Sequence, residues 1–180
     1  KKQGIKNVYL HLITDGRDSP PDDAINQIKK IEEKIKEIGV GQIASIMGRY
    51  YAMDRDLRLD RTQAAYNCLL QGDNNTNLPS EDFISSQYAK NIFDEFIEPT
   101  AILANFKNTR VKAGDVVCFF NFRTDRPRQL TQIFLENPLP NQKFITMTPY
   151  KKEFTNPTIF ESMTVTNTLG EIISQNNLKQ

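Results

Sequence analysis

The sequence predicts an α/β domain of three layers, a mostly parallel open sheet carrying helices on both faces. Three observations predict it. Short apolar runs rich in strand formers alternate with stretches of helical periodicity. The joints between them are short, as βαβ units require. Arginines, finally, cluster where predicted strands end, which is where open α/β sheets bind ligands.

The elements follow in order. Val8-Tyr9-Leu10-His11-Leu12-Ile13 is apolar and short, as a buried strand should be. It stops at the turn residues Thr14 to Pro21. Ile25, Ile28, Ile31, Ile35 and Ile38 then fall three or four apart and define one helical stripe. Asp22 and Asp23 suit its first turn, and Gly39 its left-handed end. A second strand over Gln42 to Met47 completes a βαβ unit. Helices are expected from about Asp60 to Leu70 and from Ser80, as N-cap, to Asn91, with a surface loop at 73–77 between them. Asp115 to Phe122 reads as a third strand, Pro127 to Leu135 as a helix with Pro near its first turn, and Lys143 to Thr148 as a fourth strand. Beyond Tyr150 periodicity fades until a short helical stretch over Thr168 to Ser174. The domain is therefore placed at residues 4–150, and 151–180 read as a connection leading out of it.

Composition excludes several classes. The apolar fraction of 38% is low against the roughly 45–50% usual on a count that includes Gly, which fits a polar, loosely held C-terminal part. There is no run of about 18 apolar residues to cross a membrane. Lys1-Lys2-Gln3-Gly4 has no initiator Met and no apolar run behind it, so it is expected to be an internal cut, not a signal peptide. Cys68 and Cys118 fall in a predicted helix and a predicted strand and suit buried free thiols of a cytoplasmic protein. A net charge of +1 argues against a general nucleic-acid binder.

The distribution of charge is more telling than its sum. Eight of the nine arginines lie at 17, 49–61 and 123–128, each segment beginning directly after a predicted strand, with Arg110 the exception. A guanidinium grips carboxylate or phosphate with two parallel hydrogen bonds, and several such forks around one crevice repel unless an anion sits between them. Arg17, Arg49, Arg55, Arg123 and Arg126 are therefore assigned to a site for a small, multiply charged anion. Arg58 and Arg61 are assigned to ion pairs with neighbouring acids.

The acids divide similarly. Asp18 is the candidate general acid/base, with an Asx-turn or cap role before Pro20-Pro21 as its alternative. Arginines nearby would keep it ionised at neutral pH. Asp15 better suits an Asx turn before Gly16. Asp54-x-Asp56 has the oxygen ligands of a Mg²⁺ site, but beside three arginines it better fits a salt-bridge network. His11, the single histidine, is expected to be packed within its strand, and one histidine supports no triad. Gly48-Arg49-Tyr50-Tyr51 is neither of the common glycine-rich phosphate loops.

Three motifs stand in register: Asp15-Gly16-Arg17-Asp18-Ser19-Pro20-Pro21, Gly48-Arg49-Tyr50-Tyr51-Ala52-Met53-Asp54-Arg55-Asp56 and Asn121-Phe122-Arg123-Thr124-Asp125-Arg126. Together they resemble the cofactor-independent (2,3-bisphosphoglycerate-independent) phosphoglycerate mutases over nearly the whole chain. The resemblance implies the phosphotransferase domain of a cytoplasmic, monomeric glycolytic isomerase that interconverts 3- and 2-phosphoglycerate. It implies Arg17, Asp18, Arg49, Arg55, Arg123 and Arg126 as substrate-binding residues, with Asp18 also acting on the glycerate hydroxyls. It further implies a separate phosphatase-like domain carrying two Mn²⁺ or similar ions and a transiently phosphorylated serine. Thr168-Leu169-Gly170-Glu171 looks like the stretch where the chain returns to that domain.

No serine stands here in the family's nucleophile context, and no histidine-aspartate metal set is present in the sequence. The family's earlier strand, with its Gly-Gly-Val-His-Ser-His-like segment, is missing too. This chain is therefore expected to hold no metal, to bind phosphoglycerate weakly or not at all, and to lack mutase activity alone. Two rivals remain: a non-catalytic small-anion or nucleotide-binding module, and a single-stranded RNA binder using Tyr50, Tyr51 and Phe122 among the arginines.

Overall fold

The computed structural model describes residues 2–103, 109–161 and 166–179. Its first strand, β1 (Tyr9–Thr14), runs parallel to β2 (Gln42–Gly48), and helix α1 (Ala24–Ile38) joins them. The register sets Thr14 opposite Gly48, so the chain leaves both strands at one edge. Ile28 is the buried centre of the α1 stripe, Ile25, Ile31 and Ile35 pack beside it, and Ile38 emerges into solvent. Gly39 closes the helix at φ 73°, its N–H donating to Ile35. The helix start differs from expectation. No acid lies in its first turn, and Asp23 takes the cap position without a capping bond from its side chain. Instead the carboxylate of the distant Asp94 accepts the Ala24 N–H at 2.8 Å.

The one-turn helix α2 (Arg49–Ala52) begins where β2 ends, and α3 (Leu59–Leu70) follows. Strand β3 (Asn75–Thr76) lies within the segment expected to be only a loop. Helix α4 (Ser80–Tyr88) stops three residues early, before Asn91 turns left-handed at φ 58°. Ser80 is buried as its first helical residue, and Pro79 takes the cap position. A 3₁₀ turn (Asp94–Phe96) leads to β4 (Thr100–Ile102). That strand is too short to show periodicity in sequence. It pairs antiparallel with β2 and parallel with β3, completing the order β1-β2-β4-β3.

Strand β5 (Val116–Phe119), helix α5 (Arg128–Glu136) and strand β6 (Lys143–Thr146) form a second βαβ unit with its own two-stranded parallel sheet. Both strands are shorter than expected, and Phe120 and Phe122 are left exposed. The α/β class and the mostly parallel pairing hold. The strands, however, are shared between two sheets instead of one. Helix α6 (Leu169–Gln175), capped by Thr168, buries no residue.

Two apolar clusters flank the larger sheet. Ile28 of α1 and Phe83 and Ile84 of α4 meet Ile43, Ile46 and Ile102 on one side. Ala65, Tyr66 and Leu69 of α3, with Leu130 and Phe134 of α5, meet Met47, Ala101 and Phe144 on the other. Phe134 stacks on Phe144 at 4.8 Å and meets Tyr66 edge-on at 4.9 Å, which ties the second sheet to the first. Burying such an aromatic ring contributes about 1.5–3 kcal/mol.

The site edge is set by close backbone packing. The 3₁₀ turn lies against Gly16 and Gly48, the residues near the ends of β1 and β2. A Cβ on Gly48 would run into the Glu95 carbonyl, and one on Gly16 would fall 2.8 Å from the Glu95 nitrogen. Thr14 Oγ1 donates to the Asp94 carbonyl at 2.6 Å, and Gly48 N–H to Ile97 at 2.7 Å. Gly48→Ala should therefore push the turn off the strand ends. We expect a loss of about 1–3 kcal/mol, read as a lower urea midpoint; an unchanged midpoint would show that the turn yields freely.

Candidate functional site

The loop after β1 is organised by its own side chains. Asp15 Oδ2 accepts the N–H of Asp18, three residues on, at 3.2 Å, and Ser19 Oγ accepts the Gly16 N–H at 3.2 Å. Into this loop reaches Arg49, whose side chain is only 4% exposed. Its Nη1 donates to Asp15 and, at 2.9 Å, to Asp18 Oδ2. Burial works against the Arg49 charge, but the bonds to Asp18 and Asp15 outweigh it and its pKa stands above the usual value. The same bond, then the charge of Arg49, holds the Asp18 carboxyl below its usual range, with Arg123 and Arg126 adding to the effect.

The third motif arrives from beyond β5. Arg123 Nη1 lies 3.5 Å from Asp18, and its Nε 3.3 Å from Asp125. Asp125 also holds Arg55 at 3.1 Å, linking loops 70 residues apart. Burial alone would raise the Asp125 carboxyl; hydrogen bonds from Arg123, the Arg126 backbone and Arg55 instead bring it to about 2. Arg17 leans on Glu95 at 3.5 Å. Arg126 donates to the Met53 carbonyl at 3.0 Å, its Nε is buried without a partner, and no carboxylate pairs with it among the described residues. Burial, then the charges of Arg49, Arg55, Arg123 and Arg17, lowers its pKa.

All three segments thus converge. A cleft of about 510 Å³ is lined by Arg17, Arg49, Arg55 and Arg126, while Arg123 joins through Asp18 and Asp125. Arg58 and Arg61 line it as well, yet both are paired as expected. Arg58 meets Asp56 at 3.1 Å, and Arg61 meets Asp54 at 3.6 Å and stacks 3.6 Å from the Tyr50 ring centroid. Asp54 is buried and occupied by the N–H groups of Asp56 and Arg58, each at 3.0 Å, so Asp54-x-Asp56 is a structural network. Among the described residues no group of three or more His, Cys, Asp or Glu side chains is placed to hold a metal ion. His11 bonds to Ser45 across the strands at 2.8 Å, and burial lowers its pKa to about 4, leaving it neutral. Cys68 is buried as expected, whereas Cys118 is exposed on β5.

Sequence reasoning missed Asp94, Glu95 and Gln129. Asp94 is 1% exposed and accepts from Ala24 N–H and Tyr88 OH; burial raises its carboxyl despite these bonds. The one available signal was an acid pair between two aromatics, Phe93-Asp94-Glu95-Phe96, with no helix face to serve.

Fold and cleft together define an α/β domain whose strand ends carry an arginine-walled cavity. Comparison with known proteins carries this further. The family described as BPG-independent PGAM N-terminus matches residues 1–152, and the chain belongs to it. The 2,3-bisphosphoglycerate-independent phosphoglycerate mutase of Acetivibrio thermocellus is 41% identical over 191 residues, covering 100% of this chain and 37% of that protein. The same-named protein of Synechococcus elongatus is 42% identical over 186 residues, covering 99% and 34% respectively. The chain thus spans about a third of the length of the curated relatives it matches. Among solved structures, a Leishmania mexicana phosphoglycerate mutase at low cobalt concentration superposes with a TM-score of 0.81 at 21% identity, over 98% of this chain and 36% of that one, which shows a shared fold.

The depressed carboxyl of Asp125 predicts a pH effect. Its folded pKa lies below the ordinary 3.8, so its contribution to stability is complete above that value and is lost as pH falls toward about 2. Asp125→Asn should flatten the acid limb of the urea-midpoint profile in this window; parallel limbs for both proteins would refute the pairing.

Proposed function

We propose that this chain is the substrate-binding, phosphotransferase part of a 2,3-bisphosphoglycerate-independent phosphoglycerate mutase, and that its cleft holds the phosphoglycerate. One observation carries the reading: Arg126 is a half-buried cation facing four others, without a carboxylate of its own among the described residues. Such an arrangement is relieved by an anion in the cleft, and the family relationship supports a phosphoglycerate as that anion.

In this reading Arg17, Arg49, Arg55, Arg123 and Arg126 grip the carboxylate and phosphate groups of 2- or 3-phosphoglycerate. Asp18, held between Arg49 and Arg123, is ionised at neutral pH and takes the proton of a glycerate hydroxyl or returns one. The arginines that keep it ionised also make it a weak base, suited to a hydroxyl that loses its proton only as its oxygen bonds to phosphorus. A separate phosphatase-like domain supplies the serine nucleophile and carries Mn²⁺ or a similar divalent ion. This part orients glycerate so that its other hydroxyl can be presented.

Residues 4–150 form the domain and 151–180 the connection. The family match ending at residue 152 and the fully unburied α6 support that division. The parent is a monomeric isomerase of cytoplasmic glycolysis. Among the described residues no helix is long and apolar enough to cross a membrane.

Two measurements test the reading. The 180-residue chain, given Mn²⁺ and 3-phosphoglycerate, should bind weakly or not at all by calorimetry and show no turnover; clear turnover would sink it. In the two-domain parent, Arg126→Ala should lower kcat/KM about 10- to 100-fold, the equivalent of ~1.5–3 kcal/mol for a hydrogen bond to a charged group. A change under about twofold would place the substrate elsewhere.

A further inference from the structure

The anion-site reading leaves one question about the cleft: what holds the Arg55 loop against the Arg126 segment. Asp125 bridges Arg55 and Arg123, but this pair is solvent-exposed and weak on that account. A buried connection lies behind it. Gln129, in the first turn of α5, is 9% exposed. Its Nε2 donates both to the backbone carbonyl of Asp54 and, at 2.8 Å, to the Asp54 carboxylate. Three residues earlier, Arg126 donates to the carbonyl of Met53. Two successive carbonyls of the loop thus accept from two side chains three residues apart.

The rest of that loop hangs on Asp54. Its carboxylate accepts the N–H groups of Asp56 and Arg58, which bracket the segment following Arg55. Gln129 therefore grips the residue that shapes the loop, and does so through a neutral amide that adds no charge to the cleft. Its Oε1 is buried with no partner among the described residues. An apolar side chain of similar length would fill the same space without that penalty, so the amide is explained by what it donates and not by packing.

We propose, resting on the anion-site reading above, that Gln129 is a positioning residue. It fixes the Asp54 carbonyl and carboxylate so that Arg55 and Arg126 face the cleft together, and it touches no ligand itself.

The test uses the two-domain parent, with sulfate as a dianionic probe. Gln129→Met keeps the shape of the side chain and removes the donor. Sulfate affinity should fall about three- to tenfold, as expected for one lost hydrogen bond acting through position. Hydrogen exchange at the Asp56 and Arg58 amides should accelerate, while exchange in the β1–β2 ladder stays unchanged. Arg126→Ala combined with Gln129→Met should weaken binding by less than the product of the single effects, because one acts through the other. A lower melting temperature with unchanged sulfate affinity in Gln129→Met, beside weakened affinity in Arg126→Ala, would reduce Gln129 to a packing residue. Unchanged affinity in Arg126→Ala would instead defeat the anion-site reading, and this inference with it.

Discussion

A guanidinium withdrawn from water constrains everything around the cleft. Arg49 starts α2 at the end of β2, and its burial must be matched by carboxylates or it becomes strongly destabilising. Both of its partners, Asp15 and Asp18, come from the loop after β1. That match depends on the β1–β2 register, which brings Thr14 level with Gly48, and on the Asp18 N–H bond to the Asp15 carboxylate, which folds Asp18 back toward Asp15. The ion pair and the parallel strand pairing are therefore one arrangement.

The opposite wall is built on contact distance instead of charge. The 3₁₀ turn can approach the strand ends only because Gly16 and Gly48 present no Cβ. Held there, Asp94 caps α1 from a distance and receives the hydroxyl of Tyr88 at the end of α4. A buried acid in this place exchanges local capping by Asp23 for a long-range one, tying the α1–α4 layer to the cleft edge. Glu95, carried by the same turn, meets Arg17 across the opening.

Between these walls the arginines are held apart by the acids that pair them. Asp18 and Asp125 each link two guanidinium groups from different loops, so the forks are arranged before anything enters. Preorganisation of this kind lowers what a ligand must spend on ordering its site. Arg126 stands outside the pairing, anchored by one carbonyl, and concentrates the unbalanced charge that the proposed function requires.

Much of this was legible in the residue order. The isoleucine stripe of α1, the apolar runs of β1 and β2, and the arginine segments after strands are local patterns, and all lie where periodicity and turn chemistry placed them. Local too was the assignment of Arg58 and Arg61 to neighbouring acids, since their partners lie a few residues away. The short strands β3 and β4 were not legible, because two or three residues carry no period and their pairing is supplied entirely by neighbours. Nor was the division into two sheets, which depends on which edges hydrogen-bond. The sequence by itself determined the α/β class, the family motifs and that the three arginine segments would meet. Only the tertiary structure decided which acids Arg17, Arg49, Arg55 and Arg123 hold, that Asp94 caps a helix 70 residues away and that Gln129 grips the Asp54 loop. Those choices are contacts between segments distant in sequence, and a linear pattern records what each segment offers but not what it faces.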